Sequence, residues 1–432
     1  MSASPRIVLH IGTEKTGTTT IQTFFARNRD TFHAAYVLYP HSPGSPNHLK
    51  LSAFADPNHT RGDILPGLGV TDIDSLETFR SEFRRNFYSE IHASPAKTLV
   101  LSNEHCHSRF RTLEEISRLR ELLLKISNDI RVIVYFRRQD RVAVSFYSSQ
   151  LKFGGIRRHI FPPVGNELPY YYDFYSVFRN WVDVFGKENI VARRFDDKYF
   201  VDGSLVRDFV DAAGLVWSDD FEVPFPQNLS LNLKAQAFLS RLNDYVPLSI
   251  ENKLNRSRTG LIEIFERNFS GSGETSTKQE ARTFYAHFVE SNKNLEKELG
   301  FDDTQPLFDD DFSEYSDEKE LVHPDYNDAV SIAGVLWNEK SRETNHLRAE
   351  NFYLKACLAV GQGKAAQAIE HLEKALSFNP SYPEAALLLA DHLLKASSPD
   401  KALACLRSAL EMNPGRQDLD DRIRAIEEGL AH

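Results

Sequence analysis

The amino-acid sequence predicts an α/β fold with a parallel sheet, followed by an all-α helical repeat in the C-terminal part of the chain. Two observations predict it. Through the first half of the chain, short apolar segments alternate with amphipathic segments of helical period, and a polar cluster follows each apolar segment. Near the end, two similar segments are offset by 34 residues. The first pattern is typical of parallel sheets, which bind ligands at the carboxyl ends of their strands.

Composition argues against several classes of protein. The 432 residues carry a net charge of −10, so no basic surface for nucleic acid is predicted. Cys106, Cys357 and Cys405 have neither metal-site spacing nor the even number of a disulfide framework. No apolar run of about 18 residues predicts a transmembrane helix, and the first predicted strand leaves no room for a signal peptide. We therefore expect a soluble, cytoplasmic protein of two or three domains.

The first strand is predicted at residues 7–11, and a Gly/Thr-rich turn leads from it into a helix. Gly12 and Gly17 permit close approach of a ligand to the backbone, and Lys15 adds a cation. Such a turn brings backbone N–H groups and a helix N-terminus to one point, which favours phosphate. The alternative is a plain strand-to-helix turn. The candidate phosphate-binding residues are Thr13, Glu14, Lys15, Thr16, Gly17, Thr18, Thr19 and Thr20.

The two glycines have Walker A spacing, but the lysine that should follow Gly17 is missing. Position 18 is Thr, and the lysine lies inside the loop at Lys15. This difference argues against ordinary hydrolysis of ATP or GTP. Residues 14–20, EKTGTTT, instead resemble the 5′-phosphosulfate loop of sulfotransferases that use 3′-phosphoadenosine 5′-phosphosulfate (PAPS).

Further strands are predicted at residues 36–39, 98–102, 131–136 and 189–193, with helices at residues 76–91, 114–126 and 205–213 between or after them. Polar residues follow the second, third and fourth strands, where a parallel sheet binds ligands. The candidates are His48 in the loop after the second strand, Glu104 after the third and Arg137 after the fourth.

Arg137 and Ser145 are eight residues apart across a turn that leads into a helix. This element is similar to the one that binds the 3′-phosphate in the PAPS sulfotransferases. A guanidinium with two parallel donors, together with a hydroxyl, suits a phosphate dianion. A solvated strand end would explain this motif alone, as a plain strand-to-helix turn would explain the first, but both occur here in the family's order. Looser similarity to bacterial members extends over residues 1–300.

The resemblance implies a three-layer, P-loop-like sulfotransferase fold that uses PAPS as sulfuryl donor, releases 3′-phosphoadenosine 5′-phosphate (PAP) and needs no metal. Lys15 would stabilise the oxygen that leaves with the nucleotide. An acceptor hydroxyl or amine would need a base, for which His48 and Glu104 are the candidates. The ordinary pKa of histidine slightly favours His48. A carbohydrate or another small or lipid-linked molecule is the expected acceptor.

Two further segments of the chain are recognised, one by its acidic composition and the other by an internal repeat. Residues 301–345 contain an acidic stretch and are predicted as a linker with a connecting helix, after a catalytic domain at residues 1–300. Within residues 346–432, the segment 368–380 aligns with 402–414, a period typical of tetratricopeptide (TPR) repeats, and a capping helix follows. The repeats suggest a protein partner. Two other functions remain open, a small-molecule kinase with a degenerate phosphate loop and a non-catalytic TPR scaffold.

Overall fold

Five parallel strands form the central sheet of the N-terminal unit in a computed structural model of the chain. Their order across the sheet is β2-β3-β1-β4-β5. Residues 4–57, 64–224, 230–250, 253–301, 305–318 and 325–430 are described. The chain divides into two compact units, Met1–His323 and Pro324–His432. The strands are β1 Arg6–His10, β2 Val37–Leu38, β3 Thr98–Ser102, β4 Ile130–Phe136 and β5 Ile190–Arg194.

Helices and a small antiparallel hairpin, β6 Ser249–Ile250 with β7 Lys253–Leu254, complete the N-terminal unit. The helices before the fifth strand are α1 Thr18–Arg27, α2 Arg29–Ala34, α3 Lys50–Ala55, α4 Ile64–Gly67, α5 Ile73–Ala93, α6 His105–Arg109, α7 Leu113–Leu124, α8 Gln139–Lys152 and α9 Phe174–Phe185. Those after it are α10 Leu205–Ala212, α11 Leu233–Tyr245, α12 Leu261–Asn268, α13 Lys278–Ala286 and α14 Val289–Leu299.

The sheet is buried on both faces because alternate side chains of each strand enter separate cores. Along β1, Ile7 and Leu9 pack in one core with residues of α7 and α9, whereas Val8 packs in the other with residues of α1 and α10. Both cores are rich in aromatic rings, such as Trp181 in the first and Phe25 in the second. A parallel sheet needs this cover, because its strands are apolar on both faces. The predicted α/β class with a parallel sheet is confirmed.

Each predicted strand boundary lies within one residue of the observed boundary, and β2 is the strand that is shortened at both ends. That strand was expected at residues 36–39 but pairs with β3 only through Val37 and Leu38. Tyr36 has a positive φ of 59°, which interrupts the extended backbone before the strand. The sheet edge at β2 is therefore short.

The acidic stretch, predicted as a surface segment or linker, packs within the N-terminal unit where it is described, at residues 305–318. Phe312 and Tyr315 are buried in a small cluster with Ala281. Arg138, only 1% exposed, forms ion pairs with Asp140 and with Asp309 of the acidic stretch. Composition alone does not predict these contacts, because the arginine that balances the acidic charge lies far away in the sequence. Residues 302–304 and 319–324 of the predicted linker lie outside the described residues.

The C-terminal unit is a stack of antiparallel helices, α15 Tyr326–Gly361, α16 Ala365–Phe378, α17 Pro383–Lys395, α18 Pro399–Met412 and α19 Gln417–Leu430. Its core has the predicted 34-residue period: Leu372 on α16 corresponds to Leu406 on α18, and both are fully buried. Helix α15 starts at the capping box of Asp325 and continues without a break. The predicted boundary between residues 345 and 346 therefore lies inside one continuous helix.

Membrane insertion through a helix is not indicated by the described residues, because none of their helices is both long enough and apolar enough to cross a bilayer.

The packing of the acidic stretch leads to a prediction about two truncations. A chain ending at residue 323 should fold with the stability of the intact N-terminal unit. A chain ending at residue 301 should lose about 3 kcal/mol or more in free energy of unfolding, because the buried rings of Phe312 and Tyr315 are removed. Asp140 then loses its hydrogen bond from Tyr315, and Arg138 loses its ion pair with Asp309. Urea denaturation followed by tryptophan fluorescence measures the difference. Equal stability of the two chains would show that the acidic stretch is a linker, as its composition suggests.

Candidate functional site

The carboxyl ends of three adjacent strands, β3, β1 and β4, lie together at one edge of the sheet. The loop of residues 12–17 follows β1, Glu104 follows β3, and Arg137 follows β4. Gly17 ends the loop with a φ of 69°, in the left-handed region that favours glycine. A Cβ atom there would lie 2.3 Å from Cδ2 of Leu205. The backbone conformation therefore favours glycine at this position, and a larger residue would also have to displace the Leu205 side chain.

Hydrogen bonds inside the loop use some of its threonines and leave others half-exposed. The Oγ1 of Thr13 donates to the carbonyl oxygen of Tyr135 at 3.0 Å, and the Oγ1 of Thr16 donates to that of Thr13 at 2.6 Å. Thr19 and Thr20 are half-exposed in the first turn of α1. In the described part of the chain, α1 begins without a side-chain cap. Its first N–H groups are therefore suited to an anion.

Lys15 lies at the tip of the loop and contacts helix α8. Its Nζ donates to the Oγ of Ser149 at 2.9 Å and lies 5.8 Å from the centre of the Phe146 ring. Burial lowers the pKa of Lys15 from its ordinary value, while the carboxylates of Glu14 and Glu104 act in the opposite direction. The Lys15 cation attracts an anionic ligand, and the carboxylates of Glu14 and Glu104 offset part of that attraction.

Arg137 connects the end of β4 with the loop. Its Nη1 donates to the carbonyl oxygen of Lys15 at 3.1 Å, and its guanidinium lies 5.3 Å from the centre of the Phe195 ring. Burial lowers the pKa of Arg137, as does the nearby Arg141. Ser145 is half-exposed on α8, one helical turn before the Ser149 that contacts Lys15. The two sequence motifs thus meet at the same strand ends.

His48 has a structural environment rather than that of a base. Its imidazole is fully buried, with Nε2 3.0 Å from the carbonyl oxygen of Pro40. Its Nδ1 accepts the backbone N–H of Ser102 at 3.1 Å. Burial lowers the pKa of His48 to about 3. Both ring nitrogens are engaged, so this geometry does not support the preference for His48 over Glu104.

Glu104 is half-buried beside the loop. Its Cα and Cβ atoms lie 3.3 Å from the place that a Cβ atom on Gly12 would occupy, so its backbone packs directly against the loop. Its Oε2 accepts hydrogen bonds from Nε2 of Gln22 at 2.5 Å and from Nδ2 of Asn47 at 3.0 Å. These two amides orient the carboxylate without neutralising its charge.

Glu14 anchors the loop through contacts that the sequence did not predict. Its Oε2 accepts a hydrogen bond from the Tyr171 hydroxyl at 3.0 Å, and its Oε1 lies 3.5 Å from Nδ1 of His105. Its backbone N–H donates to Nδ1 of His107 at 3.3 Å. Burial alone would raise the pKa of Glu14, but contacts with His105, Ser108 and His107 outweigh burial and lower the pKa to about 2. The carboxylate therefore holds the loop in place.

Four residues near the loop were not identified from the sequence, namely Gln22, Asn47, His107 and Tyr171. Gln22 lies one turn inside α1, and only its position soon after the loop in the sequence could have indicated that it lies near the site. The others approach from distant parts of the chain, and only the pair of histidines directly after Glu104 could have drawn attention to His107.

Comparison with known proteins identifies the C-terminal repeats and finds two distant similarities. The sequence model of the tetratricopeptide repeat matches residues 359–423, which confirms the predicted repeats. An uncharacterized protein from Archaeoglobus fulgidus is 27% identical over 191 residues, which are 43% of this chain and 50% of that protein. The chain thus spans about half the length of this curated relative. The crystal structure of a sulfotransferase from Alicyclobacillus acidocaldarius matches 70% of this chain and 98% of its own, with 15% identity and a TM-score of 0.39.

The burial of His48 predicts a specific dependence of stability on pH. The unfolded chain binds a proton on this residue near pH 6.5, whereas the folded chain does so only near pH 3. Its contribution to stability is therefore complete above pH 6.5 and falls by about 1.4 kcal/mol per pH unit below that value. In His48→Gln the free energy of unfolding should be lower at pH 7 but should fall less steeply towards pH 5.

The matched control is His33→Gln, which changes an exposed histidine on α2. Its pH dependence should equal that of the parent chain in urea denaturation at each pH. If the parent and His48→Gln have the same slope between pH 7 and pH 5, His48 is not buried in its neutral form.

Proposed function

We propose that the chain is a sulfotransferase that moves a sulfuryl group from PAPS to an acceptor hydroxyl. The observation that supports this most strongly is the contact between Arg137 and the loop, with Nη1 of Arg137 3.1 Å from the carbonyl oxygen of Lys15. A nucleotide with phosphate at both the 5′ and 3′ positions needs two anion sites close to each other. The loop would bind the 5′-phosphosulfate, and Arg137 with Ser145 would bind the 3′-phosphate.

The proposed reaction is a direct transfer in which one S–O bond forms as another breaks. The acceptor oxygen attacks sulfur, the bond from sulfur to the phosphate oxygen breaks, and PAP leaves with that oxygen. Lys15 would stabilise the negative charge that develops on the leaving oxygen. Stabilisation is strongest in the transition state, so Lys15 contributes more to turnover than to PAP binding.

Glu104 is the proposed general base, in place of the buried His48. Its carboxylate lies beside the loop and accepts hydrogen bonds from Gln22 and Asn47. In the reaction it would take the proton of the acceptor hydroxyl as the S–O bond forms. A carbohydrate hydroxyl is the proposed acceptor group.

Calorimetry with PAP and with ATP tests the proposed function against the two alternatives. Binding of PAP without magnesium, much tighter than that of adenosine 5′-phosphate, is the result expected for a PAPS enzyme. Magnesium-dependent binding of ATP in preference to PAP would identify a kinase with a degenerate loop. Binding of neither nucleotide would favour a scaffold whose function resides in the repeats.

Arg137→Ala should weaken PAP binding by about 2–4 kcal/mol, because the 3′-phosphate loses one partner of a charged hydrogen bond. Adenosine 5′-phosphate, which lacks that phosphate, should bind almost as tightly as to the parent chain. Arg131→Ala, at the opposite end of the same strand, is the matched control and should bind both nucleotides normally. Equal losses for both nucleotides in Arg137→Ala would show that Arg137 does not recognise the 3′-phosphate.

Lys15→Ala and Glu104→Gln should distinguish stabilisation of the leaving oxygen from deprotonation of the acceptor. The lysine variant should release PAP from PAPS at least about 100-fold more slowly, with or without acceptor, because the leaving oxygen is no longer stabilised. The glutamate variant should lose transfer to a carbohydrate acceptor while slow transfer to water persists. Chromatography of released PAP measures both rates, and Lys187→Ala on the exposed surface is the control. Normal acceptor turnover in Glu104→Gln would exclude Glu104 as the base.

A further inference from the structure

Helix α15 is unusual in the C-terminal unit because the described residues of the stack leave one long side of it exposed. The helix has 36 residues, which corresponds to a length of about 54 Å. Towards its C-terminal end, Ala349, Ala356 and Ala359 are buried, and Ala356 belongs to the core of the helical stack. The opposite side is exposed, although several of its side chains are large and apolar.

On this side, residues repeat at a seven-residue period along the whole helix, and all of them except the half-exposed Lys340 are exposed. Trp337, Leu354 and Leu358 are 75%, 60% and 64% exposed. The residues of this side fall into two sets, each with a period of seven. In a heptad written abcdefg, the first set occupies position a and the second occupies position d. We call these two sets the heptad seam; a is Val330, Trp337, Thr344, Asn351 and Leu358, and d is Tyr326, Ala333, Lys340, Leu347 and Leu354.

Charged residues beside the seam complement one another between two parallel copies of the helix. Glu343 and Glu350 have the spacing of g, whereas Arg348 and Lys355 have that of e. In a parallel pair, each g residue faces the e residue that lies five positions later on the other helix. Glu343 then faces Arg348 of the second copy, and Glu350 faces Lys355 of the second copy. An antiparallel pair would place like charges opposite each other.

Among the described residues, three of these charged side chains have contacts at the surface of their own chain. Glu343 bonds to Lys340 at 3.0 Å in an exposed pair, and Arg348 and Lys355 lie over the rings of Phe378 and Phe352. Exposed contacts of this kind contribute little to stability. They therefore do not prevent the same side chains from pairing across two helices.

We propose that α15 pairs with α15 of a second copy of this chain as a parallel, in-register, two-stranded coiled coil. Leu347 and Leu354 at d are the residue type that favours two strands. Asn351 at a can pair with Asn351 of the second copy, and a single polar residue at this position fixes the register. The second copy is the occupant because the charges beside the seam are complementary to themselves. This inference does not depend on the nucleotide site.

Sedimentation equilibrium of the full chain tests the proposal, and the expected result is a concentration-dependent dimer. The double variant Leu354→Gln with Leu358→Gln should be monomeric where the parent chain is dimeric, because two apolar seam residues become polar. Val360→Gln on the same helix, outside the seam, should remain dimeric. Circular dichroism shows whether each variant keeps its helices. A parent chain that is monomeric at every concentration, or a double variant that is folded and still dimeric, overturns the proposal.

Charge exchange tests the parallel orientation. Glu350→Lys and Lys355→Glu should each weaken dimerisation roughly tenfold, because each places like charges opposite each other on both sides of the pair. The combination of the two substitutions should restore the dimer, since the pairing is then reversed in sign but complementary. Residues five apart on one helix do not face each other, so this restoration cannot arise within a single chain. A single variant that dimerises more tightly than the parent would indicate an antiparallel pair and contradict the proposal.

Discussion

The backbone pairing between β1 and β4 continues past the end of β1, and the candidate site depends on this pairing. The N–H of Tyr135 donates to the carbonyl oxygen of Gly12 at 2.8 Å, and the N–H of Thr13 donates to that of Tyr135 at 3.0 Å. The start of the loop is therefore fixed on the sheet, only two residues from Arg137 along β4. Because of this placement, the Arg137 side chain can reach the carbonyl oxygen of Lys15. Two motifs that are far apart in sequence therefore lie side by side, as the proposed nucleotide site requires.

Buried charges stabilise this arrangement only because each has a partner. The Glu14 carboxylate, beside His105 and Tyr171, holds the loop, and the buried pair of Arg138 and Asp140 holds the acidic stretch. An unpaired charge at either place would be strongly destabilising. These paired residues maintain the shape of the site and are distinct from the residues that are proposed to contact the ligand. Adjacent arginines illustrate the difference, since Arg138 is structural whereas Arg137 contacts the loop.

Sequence patterns predicted the parts of the structure that depend on local periodicity. The five strands, the loop and the repeats follow from apolar spacing and short motifs, which are encoded within a few residues. His48 could not be assigned in this way, because its burial depends on Pro40 and on Ser102 of another strand. The packing of the acidic stretch likewise depends on Arg138, far away in the chain. In both cases, one at the site and one in the fold, local composition did not reveal a contact between residues that are distant in the sequence.

Amide hydrogen exchange with and without PAP tests the central claim most directly, namely that the ends of β1 and β4 form one nucleotide site. PAP should slow exchange in residues 13–20 and, to a similar extent, in residues 137–145. Adenosine 5′-phosphate should protect the first segment and leave the second nearly unchanged, because only the 3′-phosphate is assigned to Arg137 and Ser145. Protection by PAP that is confined to one segment, or that lies outside both, would contradict the account.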